Sequence, residues 1–331
     1  MTHAVRIHEN GGTEVLRWEE VEVPDPGPGE AVVRQTVTGL NFIDVYFRTG
    51  LYKVPAFPAV IGNEGAGVVE STGAGVTDVS VGDRVVYCMS LGSYTQRRVV
   101  AAKRLVRIPD GITDEQAAAV MLKGCTVQYL IRRTYPVKEG ETVLFHAAAG
   151  GCGLIACQWL KHLGVTVIGT VGSSEKAELA KAHGCDYPIV YTDEDVAGRV
   201  REITDGVGVP VVYDSVGKDT FEASLACLQP RGLMVSFGNA SGAVEPFSPA
   251  LLAAKGSLFL TRPTLATYTA TREELESTSG EVFDVVGSGA VKVEVNQTYA
   301  LSDAASAHRD LEARKTTGST VLLPDARYVL I

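Results

Sequence analysis

No apolar run in this 331-residue chain approaches the roughly 18 residues that a membrane span requires. The first residues, Met1-Thr2-His3-Ala4-Val5-Arg6, lack the apolar core of a signal peptide. The expectation is a cytoplasmic protein with no membrane partner. Positive charge is also scarce: 30 Lys and Arg stand against 39 Asp and Glu, a net charge of −9. With no strip of interleaved basic and aromatic residues, this balance argues against nucleic acid and anionic membranes, which both want a basic face. A local basic pocket stays open. The six cysteines, Cys88, Cys125, Cys152, Cys157, Cys185 and Cys227, contain no Cys-x-x-Cys pair. A chain of this length needs no disulfide staple, so most of them read as small buried hydrophobes. Internal repeats and low-complexity tracts are lacking too. The length fits two domains or one large one.

What the chain does have is a glycine-rich stretch at 143–153. Val143-Leu144-Phe145 suits a buried parallel strand. Ala148, Gly150 and Gly153 follow, spaced as in G-x-G-x-x-G with alanine in the first place. The segment Leu154–Leu163 reads as a helix that closes at Gly164, with Lys161 and His162 in its last turn. Small residues there let the backbone approach a pyrophosphate, and the helix N-terminus offers free N–H groups. A glycine-rich turn without a ligand carries the same signature, and the next segment favours the nucleotide. Val165–Thr170 reads as a second strand. An NAD site places an acid about 20 residues beyond the glycines, to bind the ribose 2′-hydroxyl. Here Thr170-Val171-Gly172-Ser173-Ser174 has no acid before Glu175, and Lys176 follows. A missing carboxylate and an added cation suit a 2′-phosphate, so the expected cofactor is NADPH.

The surrounding chain supplies a frame for this motif. The first 120 residues read as β-rich, with runs at Ala4–His8, Ala31–Thr38, Ala66–Glu70 and Arg84–Tyr87. Asp114–Arg133 has helical spacing. Strand and helix then alternate: helices at Ser174–His183, Asp193–Thr204 and Thr220–Leu228, and extended runs at Tyr187–Tyr191, Val209–Asp214, Leu233–Phe237 and Gly256–Thr261. This is the doubly wound α/β pattern, a parallel sheet covered on both faces. Beyond Pro263 the reading is mixed. Helices fall at Thr271–Gly287 and Ser302–Arg314, extended segments at Val291–Tyr299 and Thr320–Leu323, and Asp325–Ile331 reads as an appendage.

Several stretches together resemble the quinone oxidoreductases of the zeta-crystallin type, within the medium-chain dehydrogenase/reductase superfamily. They are Gly39-Leu40-Asn41-Phe42-Ile43-Asp44-Val45-Tyr46, Leu122-Lys123-Gly124-Cys125-Thr126, Phe145–Gly153 and Tyr213-Asp214-Ser215-Val216-Gly217. Gly232–Asn239 and Ala313–Gly318 complete the set, so the resemblance runs nearly to Pro324. It implies a GroES-like catalytic domain over 1–124 and 263–331, with a Rossmann domain inserted at 125–262. A homodimer through an edge strand near Gly256–Leu260 is implied as well. Cys125 departs from a frequent aliphatic residue and Cys152 from a usual valine, which puts reactivity rather than fold in question. Zinc-dependent alcohol dehydrogenases of the superfamily carry Gly-His-Glu and an early cysteine ligand. Here those places read Gly62-Asn63-Glu64 and Gly39-Leu40-Asn41, and His3, His8, His146, His162, His183 and His308 are scattered. No metal is expected.

The resemblance implies an acceptor pocket at Asn41, Asp44, Tyr46 and Tyr52, with Asn41 and Tyr46 facing the nicotinamide and Tyr46 able to donate to a developing oxyanion. The competing reading makes Tyr46 and Tyr52 pocket walls and Asn41 the holder of a turn. His146, beside the glycines, suits packing better than general-base work. For the cofactor, Gly150, Gly151 and Gly153 match the pyrophosphate positions. Gly172, Lys176, Tyr191 and Arg314 match the 2′-phosphate cluster, and Thr126, Ser215, Phe237 and Asn239 the ribose and nicotinamide positions. Without a Lewis acid, a quinone or activated alkene is an easier hydride acceptor than a simple carbonyl, because its anion is delocalised. The expected activity is NADPH-dependent quinone reduction. The alternatives are an alkenal/enone reductase and a non-catalytic NADPH-binding protein, structural like the lens crystallins or an RNA-contacting module.

Overall fold

The computed structural model describes residues 2–324; the segment read as an appendage lies outside them. The chain forms two compact units. One comprises the chain up to Cys125, Thr269–Gly287 and the chain from Val293; the other comprises Thr126–Tyr268 and Ser288–Lys292.

In the second unit six strands form one parallel sheet. Across it they run Tyr187–Val190, Thr166–Val171, Thr142–Phe145, Val209–Asp214, Leu228–Ser236 and Phe259–Thr261. In chain order this is third, second, first, fourth, fifth, sixth, the order of a Rossmann sheet. The order reverses between Thr142–Phe145 and Val209–Asp214, and ligands of such sheets bind at the carboxyl ends of the strands beside that reversal. Val143, Leu144, Phe145, Val211, Val212 and Tyr213 are all fully buried, as parallel strands covered on both faces should be.

The first unit is β-rich and built from both ends of the chain. Its long strand Glu30–Leu40 pairs with Arg97–Ala101 and Glu64–Thr72, and at its far end with Ser319–Leu323. The C-terminal strand is thereby stitched into the N-terminal sheet. A smaller sheet holds Arg17–Val21, Thr2–Ile7 and Ala59–Val60. Val5, Ile7, Leu40, Ile61 and Tyr94 pack with Leu301, from the 3-10 turn Leu301–Asp303, and with Ala304 and Ala307 from the helix Ala304–Glu312 that follows it.

Several boundaries differ from the sequence reading. The units divide at Cys125/Thr126 and Tyr268/Thr269, against the expected 124/125 and 262/263. Residues 288–292 join the nucleotide unit, where Gln158 bonds the Lys292 backbone as both donor and acceptor. The helix Asp114–Tyr129 is shorter than expected and continues as a π-helical turn, Leu130–Thr134. The strands Arg17–Val21 and Arg97–Ala101 and the helix Phe42–Thr49 had no counterpart in the sequence reading.

Candidate active site

The glycine turn of the nucleotide unit follows strand Thr142–Phe145. Ala147 takes a left-handed backbone, φ 56°, and its carbonyl accepts the Gly150 N–H at 2.9 Å. Gly150 caps the helix Gly151–His162. A Cβ on Gly153 would run into the Ala147 carbonyl and come within 2.6 Å of the Ala148 backbone, so only glycine lets this helix close on the turn. Ala148 stands in the place of the first glycine. Gly169 on the neighbouring strand makes room, since a Cβ there would meet the Ala148 methyl at 2.6 Å. The result is a cradle of backbone at a helix N-terminus, the donor set that suits a pyrophosphate.

At the end of the next strand the polypeptide runs Val171-Gly172-Ser173. Ser173 caps the helix Ser174–Ala182, its hydroxyl accepting the Lys176 N–H at 3.3 Å. A Cβ on Gly172 would stand 2.8 Å from the Tyr191 hydroxyl, so that hydroxyl lies over the glycine. The structure thus brings Gly172, Lys176 and Tyr191 together around one strand end. Glu175, the first acid in sequence beyond Gly172, is held below the usual carboxyl range by the Ser173 hydroxyl and its own backbone. Arg314 belongs to the first unit, just past the helix Ala304–Glu312, with φ 58°.

Ser215 and Phe237 meet at the carboxyl ends of the fourth and fifth strands. The Phe237 N–H donates to the Asp214 carbonyl at 2.8 Å, and its ring lies 5.7 Å from Phe145. A Cβ on Gly238 would collide with the Ser215 backbone. Asn239 is half-buried in the same turn, its carbonyl accepting the Gly242 N–H. Thr126 is buried in the last turn of helix Asp114–Tyr129. Behind them the Asp214 carboxylate accepts the Val216 and Gly217 N–H groups and the Thr220 and Ser224 hydroxyls. Since Ser224 donates to Asp214, it accepts from His146 Nε2; His146 Nδ1 pairs with the Thr170 hydroxyl. Burial pushes the His146 pKa down. Both His146 nitrogens are committed to the Thr170 and Ser224 hydroxyls inside the unit.

The acceptor candidates gather on the first unit around helix Phe42–Thr49. Asn41 caps it, and Asp44 completes a capping box by accepting the Asn41 N–H at 2.9 Å. Tyr46 and Tyr52 pack edge to face, 5.3 Å between centroids, with Phe42 and Phe47 alongside. Asn41 does hold a turn, and it does more: its Nδ2 donates to Glu64 Oε2 at 2.8 Å. Asp44 requires a correction. It was expected to line the pocket, but it is wholly enclosed, accepting also from Asn63 Nδ2 at 2.9 Å and the Tyr94 hydroxyl at 3.2 Å. Burial pushes its pKa up to about 7 against those hydrogen bonds. Asp44 is thus tied to Asn41, Asn63 and Tyr94 and presents no exposed surface.

Behind Asp44 runs a chain of buried polar groups that sequence reasoning missed. Tyr94 Oη lies 2.9 Å from His308 Nε2, and His308 Nδ1 lies 3.1 Å from Arg48 Nη1. Arg48 in turn makes a two-pronged ion pair with Glu312 at 2.7 and 2.9 Å. Arginine only donates, so Nδ1 accepts and Nε2 carries the proton. Burial, with Arg48 beside it, pushes the His308 pKa down to about 3. The donors all point one way, from Arg48 toward Asp44. Glu64 and Lys123 were given no role in the sequence reading, although Lys123 lies in a stretch quoted for the resemblance and Glu64 in the place compared with the zinc enzymes' Gly-His-Glu. Asn63, at the place of a histidine ligand in the zinc enzymes, spends its amide on Asp44. Among the described residues no three His, Cys, Asp or Glu side chains cluster as metal ligands.

Comparison with known proteins agrees with this fold. Residues 27–110 match the alcohol dehydrogenase GroES-like domain, and residues 151–278 match the family described as zinc-binding dehydrogenase. A quinone oxidoreductase of Pseudomonas aeruginosa is 55% identical over 325 residues, covering 98% of this chain and all of that protein. A 2-haloacrylate reductase of Burkholderia is 47% identical, covering 98% of this chain and all of that one. The crystal structure of Escherichia coli quinone oxidoreductase complexed with NADPH superposes with a TM-score of 0.96 at 50% identity, over 97% of this chain and all of that one.

Proposed function

The chain belongs to the quinone oxidoreductases of the medium-chain dehydrogenase/reductase superfamily, zeta-crystallin type, and from that premise we infer how its residues divide the work. The activity is NADPH-dependent reduction of quinones without a metal. NADPH, when bound, supplies the hydride; the protein binds, orients and stabilises charge. The observation that carries the cofactor assignment is the pair of strand ends on the nucleotide unit. One offers a cradle that only glycine fits at position 153, and the other has no carboxylate where a 2′-hydroxyl would need one.

Gly150, Gly151 and Gly153 take the pyrophosphate. Gly172, Lys176, Tyr191 and Arg314 take the 2′-phosphate, and Thr126, Ser215, Phe237 and Asn239 the ribose and nicotinamide. Asn41, Tyr46 and Tyr52 present the acceptor, with Asp44 anchoring Asn41. The protein works as a homodimer in the cytoplasm; six free cysteines support a reducing compartment. A second reading, reduction of an activated carbon–carbon double bond, is favoured by the Burkholderia 2-haloacrylate reductase relative. NADPH oxidation, followed at its near-ultraviolet absorbance with a quinone, with an activated alkene and with neither, separates the two. Turnover of the alkene alone would replace the quinone reading, and turnover of neither would favour a non-catalytic role.

A further inference from the structure

We propose that the Lys123 ammonium is a catalytic residue of the acceptor site, the fixed positive charge against which the acceptor's oxygen becomes negative. The inference rests on the reading of Asn41 as an acceptor residue and extends it to a group the sequence did not single out. Lys123 sits on helix Asp114–Tyr129 with its side chain only 8% exposed. Its Nζ lies 3.3 Å from the Leu40 carbonyl oxygen and 3.5 Å from Glu64 Oε2, both at the long edge of hydrogen bonding. An ammonium has three N–H donors. The third has no partner among the described residues, although buried donors are normally paired.

A structural role does not account for this arrangement. A buried Lys–Glu pair gains little over well-packed apolar residues, because desolvating two charges offsets their attraction. Glu64 is fully buried and is spent on holding donors: it accepts the Leu122 N–H, the Asn41 amide at 2.8 Å, and Lys123. Burial pushes the Glu64 pKa up, and Lys123 is the first influence pulling it back. Gly39 is part of the design, since any Cβ there would strike the Glu64 carboxylate and the Ala118 carbonyl. The consequence is that the Asn41 amide and the Lys123 ammonium hang from one carboxylate oxygen as neighbouring donors. Leu40, whose carbonyl touches Lys123, directly precedes Asn41. One amide donor beside one cation, both desolvated, is the set that stabilises an oxyanion.

The chemistry needs such a charge. Hydride delivery brings two electrons and one proton to the quinone and leaves a hydroquinone monoanion; a proton from water then completes the hydroquinone. Lys123 donates a hydrogen bond to that oxygen while it is negative and keeps its own proton throughout. Removing one donor of this kind lowers kcat by roughly 10²–10³-fold.

Lys123→Met alone would strand the Glu64 carboxylate, so the deciding protein is the neutral pair Glu64→Gln with Lys123→Met, which preserves shape and an acceptor for Asn41. The proposal expects this double variant to melt close to wild type and bind NADPH with unchanged Kd, measured by fluorescence titration, while kcat with a quinone falls roughly 10²–10³-fold. Retention of kcat within a few-fold would overturn it. If the double variant does not bind NADPH, Lys123→Arg and Lys123→Gln decide: kcat surviving only in the charged variant sustains the proposal, and equal losses overturn it. A charge role also predicts a larger loss for a methylated quinone, whose product anion is more basic, than for the unsubstituted one. Asn41→Ala and Tyr46→Phe, assayed alongside, show separately whether the acceptor reading fails.

Discussion

At the scale of single residues, Asp44 has the sharpest consequence. Every described partner donates to it: the Asn41 N–H, the Asn63 amide and the Tyr94 hydroxyl. Of these only the hydroxyl can turn to accept, so protonating Asp44 reverses the Tyr94 bond and leaves the others without a charge to bond. Its pKa is about 7 in the folded protein, against an ordinary 3.8. The folded chain thus holds this proton where the unfolded chain has released it, and the contribution of Asp44 to stability is present at low pH and is lost as pH rises from about 4 to about 7. Tyr94→Phe deletes a bond that favours the charged form, so the midpoint must move above its wild-type value. We expect a step near pH 7 in quinone kcat/KM for the wild type, the same step at higher pH in Tyr94→Phe, and no step in Asp44→Asn. A midpoint unmoved by Tyr94→Phe would detach the step from Asp44. Nothing local in the sequence reveals this group. Arg48 and His308 stand 260 positions apart, and neither sits in a periodic or spaced motif that pairs them. The same holds for Lys123 and Glu64, whose roles exist only once helix and sheet have met.

Among the elements, those buried on both faces were the legible ones. Val143–Phe145 and Val209–Asp214 read as strands because a doubly covered parallel strand must be apolar nearly throughout. Arg17–Val21 and Arg97–Ala101 were hidden by their charges: Arg17 and Glu20 are exposed on opposite faces of the first, which has no fully buried residue, and Arg97 is exposed in the second. The helix Phe42–Thr49 is only eight residues long, and its start was visible chiefly as a resemblance; the physical signal available was the Asn41–Asp44 capping box. The strand end at Gly172 carries a prediction of its own. Lys176→Ala should weaken NADPH binding by about 1–3 kcal/mol, the worth of a charge-assisted hydrogen bond, and leave NADH binding nearly unchanged. For Arg314 the better variant is glycine, because φ 58° strains any other replacement. If Arg314 shares the 2′-phosphate, Arg314→Gly shows the same NADPH-specific loss, and the two losses are not additive. Equal weakening of NADPH and NADH, in paired isothermal titrations, would make Arg314 a structural residue instead.

For the whole molecule the open question is assembly. The strand Phe259–Thr261 ends the nucleotide sheet, paired only on its Leu228–Ser236 side among the described strands. Such an edge presents unpaired N–H and C=O groups and is usually blunted by charge, proline or a covering element. Here it shows the opposite, a phenylalanine: Phe259 is 62% exposed, in a strand that reads Phe-Leu-Thr with no charge. A two-fold axis beside this edge would pair the strand with its own copy, join two six-stranded sheets into one and bury both phenylalanines. We therefore expect light scattering coupled to size exclusion to give twice the chain mass. Phe259→Lys should place a desolvated, like-charged pair at that axis and shift the population to monomer at low micromolar concentration. NADPH affinity should survive, because the glycine turn lies at the strands of the sheet's centre, well away in topology from its sixth strand. A wild-type protein that runs as a monomer, or a Phe259→Lys variant that stays dimeric, would move the interface elsewhere and leave the exposed edge needing another explanation.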